Sequence, residues 1–97
     1  MIVGKAIKRV RLARGYTQKE VAKRIGVLSN SYSRLEGGFH SLNSNTMHKL
    51  CKALEIDEEV LILITLAYDT SEPTLSFGLT IKQSLEYHLK NNYNLEL

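Results

Sequence analysis

The chain has 97 residues, 43% hydrophobic and 24% charged, with a net charge of +3. That length holds one core, and the composition argues against both a disordered polyelectrolyte and a membrane protein. The charge is uneven: residues 1–24 carry eight basic side chains against Glu20 alone (+7), residues 25–56 come to +1, and residues 57–97 carry two basic against seven acidic groups (−5). A basic N-terminal half predicts a polyanion partner. Val3, Ile7 and Val10 recur at helical spacing until Gly15, so residues 3–14 are expected to be helical. Thr17-Gln18-Lys19-Glu20 has the form of a capping box, starting a second helix with Val21, Ala22 and Ile25 inward and ending at Gly26. A third, about residues 29–36, turns Tyr32 and Leu35 inward and stops at Gly37-Gly38. The Ser- and Asn-rich stretch from Phe39 to Asn45 reads as a loop before a fourth helix, Thr46 to Leu54.

Asp57 is a good N-cap, and Glu58 and Glu59 suit the first turn of a fifth helix running to about Tyr68. The polar stretch up to Pro73 marks the edge of the core, dividing the chain into a domain of residues 1–69 and an extension of residues 70–97. Within the extension, Leu75, Phe77 and Leu79 alternate with Ser76 and Gly78 as a short extended segment, and Thr80 and Gln83 cap a last helix. The lone Cys51 excludes an intrachain disulfide framework and a thiolate zinc cluster. No signal-like apolar run opens the chain, and Val60 to Ala67 falls far short of the roughly 20 residues a membrane span needs, so the expected location is cytoplasmic, without membrane contact.

Helix, glycine turn, helix in a basic all-helical domain is a geometry that lays the second of the two helices in a DNA major groove. From Val3 to Tyr68 the sequence resembles the helix-turn-helix domain of the Cro and lambda repressor, or Xre, family. The resemblance rests on Gly4, Ile7, Val10, Arg11, Gly15, Thr17-Gln18-Lys19-Glu20, Val21-Ala22, Ile25-Gly26-Val27, Ser33-Arg34-Leu35-Glu36, Gly38, Leu50, Lys52-Ala53-Leu54 and Ile56. It implies an all-α fold, a five-helix lambda-repressor-like DNA-binding domain here followed by the C-terminal extension. The implied activity is sequence-specific transcriptional regulation, usually by a dimer on a palindromic operator.

The third helix is the expected reader, with Ser29, Asn30, Ser33 and Arg34 on its outward face. Asn pairs with adenine, Arg with guanine and Ser with several base edges, and a phosphate contact is the alternative for Arg34. Phosphates are assigned to helix starts and the basic second helix: Thr17, Gln18, Lys19 and Lys23, with Asn43, Asn45 and Thr46 at the fourth helix. The glutamine Gln18 matches the family residue that clamps the backbone and buttresses the reader. Lys5, Lys8 and Arg9 are divided evenly between solvated surface and phosphate contact, whereas Arg24 is expected close to DNA. Arg11 and Glu36 fall where the resemblance implies a buried structural ion pair.

Several positions depart from the family pattern. Leu28 replaces a small polar cap, which would pass the capping role to Ser29; Phe39 and His40 stand where basic residues extend the phosphate contact; Leu42 replaces a proline; and Glu55 replaces the glycine that closes the fourth helix.

His48 and Cys51 are three apart on one helix, but without a nearby acidic ligand no metal site is expected, and no cofactor. No nucleophile elbow or phosphate-binding glycine loop is present, so an enzyme is not expected. The fifth helix is apolar nearly all round. Either the chain's own tail covers it, or, as the favoured expectation, Leu63, Leu66, Leu75, Phe77, Ile81, Leu85 and Leu89 form a homodimer interface. The sequence thus predicts a repressor acting as a homodimer on double-stranded DNA. The alternative is an antitoxin-like autoregulator whose C-terminal part binds a partner protein.

Overall fold

The computed structural model describes residues 3–38, 42–68 and 75–97, as backbone alone through residue 81 of the last segment. Six helices follow in order: α1 (Gly4–Arg14), α2 (Gln18–Ile25), α3 (Ser29–Glu36), α4 (Ser44–Leu54), α5 (Glu58–Tyr68) and α6 (Leu75–Tyr93). Among the described residues there is no strand. The described residues are all-α, five helices followed by a C-terminal helix.

Local chemistry sets the helix ends. Gly15 and Gly26 close α1 and α2 with left-handed backbone, where a Cβ would be strained. The capping box opens α2: Thr17 Oγ1 accepts from the Glu20 amide at 3.1 Å while Glu20 Oε1 reaches back to the Thr17 amide. The start of α4 lies two residues ahead of the expected Thr46, because Asn43 caps it, its Oδ1 accepting from the Thr46 amide at 2.8 Å. Glu55 ends α4 in the left-handed conformation (φ 57°, ψ 50°) that suits the glycine it replaces.

The C-terminal extension differs from expectation. Leu75 to Leu79, expected to be extended, are the first turns of α6, and Thr80 lies inside that helix rather than capping it. Five alternating residues are too few to fix a period of two, and a helix satisfies its backbone groups locally whereas a strand needs a neighbour.

The core is continuous through the chain. Ile7, Val10, Val21, Tyr32, Leu50, Leu54, Leu61 and Ile64 are fully buried, and α6 adds Leu85 and Leu89. After α6 the backbone turns through left-handed Asn94, the Leu95 amide donates to the Leu89 carbonyl at 3.1 Å, and Leu95 returns to the core. Leu85 and Leu89, expected at a subunit interface, are therefore spent within the protomer. They lie in the same core as Val60, Leu61 and Ile64 of α5, so the chain's own tail joins α1 and α4 in covering the helix that is apolar nearly all round. Leu63 and Leu66 remain 43% and 49% exposed. The side chains of Leu75, Phe77 and Ile81 lie outside the described residues. Among those residues, no helix is long and apolar enough to cross a membrane.

Candidate nucleic-acid interface

Three elements converge on the last residue of α3. Glu36 is 7% exposed, and both its carboxylate oxygens are engaged: Arg11 Nε donates to Oε1 at 2.6 Å, and Gln18 Nε2 donates to Oε2 at 2.6 Å. Arg11, equally buried, also donates through Nη1 to the Tyr16 carbonyl at 2.9 Å. The structure thus brings Arg11 and Glu36 together as a buried ion pair and adds Gln18 to it. Burying two charges is tolerable only when their hydrogen-bonding capacity is met, as here. Gly4 completes the joint, since a Cβ at that position would collide with the carbonyl oxygens of Leu35 and Glu36. Next to it, the buried Tyr32 hydroxyl meets no hydrogen-bond partner. Burial, and then the nearby Glu36 carboxylate, push its ionisation well above the ordinary phenol range.

With Tyr32, Leu35 and Glu36 held inside, α3 leaves Ser29, Asn30, Ser33 and Arg34 exposed. Ser29 is the first helical residue and not the cap. Leu28 holds the N-cap position without a side-chain hydrogen bond, a loss of about 1 kcal/mol relative to a polar cap. The start of α2 lies by the C-terminal end of α3 through the bond from Gln18 to Glu36, and α4 starts after Asn43, seven residues beyond Glu36 in sequence. The oxygens of Thr17 and Asn43 are used as caps. What these starts offer a phosphate is therefore their free first-turn amides, beside exposed Lys19 and Asn45 and half-buried Thr46. Gln18 has two amide hydrogens, so one remains after the bond to Glu36. Lys23, further along α2, is exposed as well.

The N-terminal basic charge separates by residue type. Arg11 is in the buried pair. Arg14 donates from Nε to the Leu54 carbonyl at 3.0 Å, from Nη1 to that of Tyr93 at 3.0 Å and from Nη2 to that of Glu55 at 2.7 Å. Arg9 lies 4.9 Å from the Tyr68 ring centre, and Arg24 lies 4.0 Å from that of Tyr16 while donating to the Ala53 carbonyl. Arg24 is exposed and lies by the C-terminal end of α4. The four arginines of residues 1–24 thus tie helices together, and the four lysines, Lys5, Lys8, Lys19 and Lys23, are exposed. Sequence reasoning missed the role of Arg14. Its one signal was a second arginine three residues past Arg11, on the same side of α1.

Cys51 is buried, which pushes its thiol up to about 11, whereas His48 is on the surface with Nδ1 3.6 Å from Glu58 Oε1. Among the described residues no three candidate metal ligands converge. His40 and Phe39 lie outside the described residues.

Comparison with known proteins converges on the same segment. A helix-turn-helix family model matches residues 7–61, more than half of the chain. The HTH-type transcriptional regulator ImmR of Bacillus subtilis (strain 168) is 31% identical over 62 residues, 64% of this chain and 49% of that protein. The chain thus spans about half the length of this relative. The crystal structure of the clp gene regulator ClgR from C. glutamicum superposes with a TM-score of 0.69 at 22% identity, over 73% of this chain and 92% of the other, a likeness of fold.

Proposed function

The chain belongs to the Xre/lambda-repressor-like helix-turn-helix family, and on that premise we propose that it is a sequence-specific DNA-binding transcriptional regulator, a repressor that binds a palindromic operator as a homodimer. The observation that carries the proposal is the two-sided construction of α3. One side is locked to α1 and α2 through Glu36, and the other presents Ser29, Asn30, Ser33 and Arg34 to solvent. In this role Asn30 and Ser33 read base edges, with Ser29 and Arg34 beside them. The starts of α2 and α4 and the lysines Lys19 and Lys23 grip phosphates and fix the register.

A two-fold operator places the two α3 helices about 34 Å apart in successive major grooves. For the subunit contact we assign the outer side of α5, where Leu63 and Leu66, three residues apart, are both exposed. Burial of Leu85, Leu89 and Leu95 in the chain's own core favours this reading over one in which the C-terminal part is an arm for another protein.

Selection of bound sequences from a random DNA pool, followed by a salt titration on the winner, tests the proposal. Expected are a palindromic consensus and, for on the order of eight phosphates neutralised per dimer, a log-log salt slope near −7. Asn30→Ala relaxes the preference at one or two base pairs per half-site, whereas Lys19→Ala, which removes one lysine from each subunit, weakens all sequences alike and flattens the slope by about 2. No enriched sequence, or a flat salt response, would overturn it.

A further inference from the structure

Leu28 is the most exposed large apolar side chain among the described residues, at 76%. Its position explains why. Leu28 is the N-cap of α3, with extended backbone, one turn ahead of Tyr32 in the apolar series Leu28, Tyr32 and Leu35. Tyr32 and Leu35 are buried, but α2 ends at Ile25, and Leu28 continues the series beyond the edge of the domain. Neighbouring Val27 is exposed as well, at 36%. The uncovered end of the series adjoins Ser29 and Asn30, the start of the proposed reading surface, and it is the N-terminal end of such a helix that approaches base edges.

A leucine there has no hydrogen bond to offer a base or a phosphate. The one apolar group that a base pair displays in the major groove is the 5-methyl of thymine. Resting on the DNA-binding reading above, we propose that Leu28 is a specificity-determining residue that packs on a thymine methyl at one position of each half-site, adding apolar readout to the polar readout of Asn30 and Ser33. The chemistry it selects is a 5-methylpyrimidine, so thymine is preferred there over cytosine for its methyl group and not for its hydrogen-bonding edge.

The test replaces each thymine of the selected operator in turn with deoxyuridine, which removes the methyl and leaves the pairing edge intact. At one thymine per half-site the unmodified protein is expected to lose about fourfold in affinity per half-site, the ratio for one methyl group buried from water. Leu28→Ala, a change at an exposed position, should bind the thymine and uracil forms equally, and Leu28→Met should keep the discrimination. If every uracil replacement leaves binding by the unmodified protein unchanged, or if Leu28→Ala still discriminates thymine from uracil, this inference is overturned while the DNA-binding reading stands. Failure to select any sequence at all would instead overturn that reading, and this inference with it.

Discussion

Arg11 and Arg14 leave α1 one turn apart and end in two different kinds of joint. Arg11 meets the buried Glu36 carboxylate and fixes α3, the helix that carries the proposed reading surface. Arg14 meets only backbone carbonyls, those of Leu54 and Glu55 at the end of α4 and of Tyr93 at the end of α6. A cation at helix C-termini is favourable in itself, because the last carbonyls lack intrahelical donors and carry the negative end of the helix dipole. The bonds of this second joint are less buried: that to Glu55 is exposed, those to Leu54 and Tyr93 are half-buried, and beside them the Tyr93 hydroxyl donates to Asp57 at the surface. The difference is one of failure. Taking one partner from the first joint strands a charge out of water, whereas taking Arg14 from the second leaves neutral carbonyls, that of Glu55 at the surface, and no stranded charge.

That contrast predicts unequal costs. Glu36→Ala is expected to destabilise the protein by about 3–5 kcal/mol, because the Arg11 guanidinium is left buried without its counter-charge. Urea denaturation checks this, and joint replacement of Arg11 by Met and Glu36 by Leu should cost well below the sum of the single changes. Arg14→Ala should cost about 1–2 kcal/mol, as expected for hydrogen bonds partly replaced by water. Its signature is local: amide hydrogen exchange should accelerate around Leu89 and Leu95 in the α6 joint while the amides of α2 and α3 keep their protection. If Glu36→Ala cost no more than Arg14→Ala, the two joints would not differ in kind.

How far these joints were legible in the sequence depends on what signals them. The ends of α1 and α2 were readable, because Gly15, Gly26 and the Thr17–Glu20 box are local chemistry, independent of the rest of the fold. The outward set of α3 followed from the same periodicity that turned Tyr32 and Leu35 inward. The start of α4 was misplaced because an asparagine suits a loop and a cap equally well until the Thr46 amide is seen to reach it. Counting charge gave +7 for the first 24 residues, but no count separates arginines that fold back onto carbonyls and rings from lysines that stay in water. Leu85 and Leu89 were recognisably apolar, yet whether an apolar stripe covers its own chain or a second one depends on the path of the backbone. What fixes that path is made between residues far apart in sequence, as where Arg14 of α1 binds the Tyr93 carbonyl of α6.

The smallest effect tests what holds the Arg14 joint in shape. Glu55 has a left-handed backbone, at roughly 1 kcal/mol or more for a residue with a Cβ. Its carboxylate contributes little in return, a 3.4 Å hydrogen bond from the Tyr16 hydroxyl at the surface. Glycine removes the strain but adds freedom to the unfolded chain, worth about 0.5–1 kcal/mol the other way. Glu55→Gly is therefore expected to stabilise by about 0.5 kcal/mol, a rise in Tm of about 2–4 °C for a domain of this size. Arg14 binds the backbone carbonyl of Glu55, which the substitution retains. If that bond helps hold the strained turn in place, strain and bond are coupled: without Arg14 the turn relaxes, and Glu55→Gly should recover less stability in the Arg14→Ala background than in the unmodified protein. An equal gain in both backgrounds would mean that the turn keeps its shape without Arg14, and that the arginine acts on α6 alone.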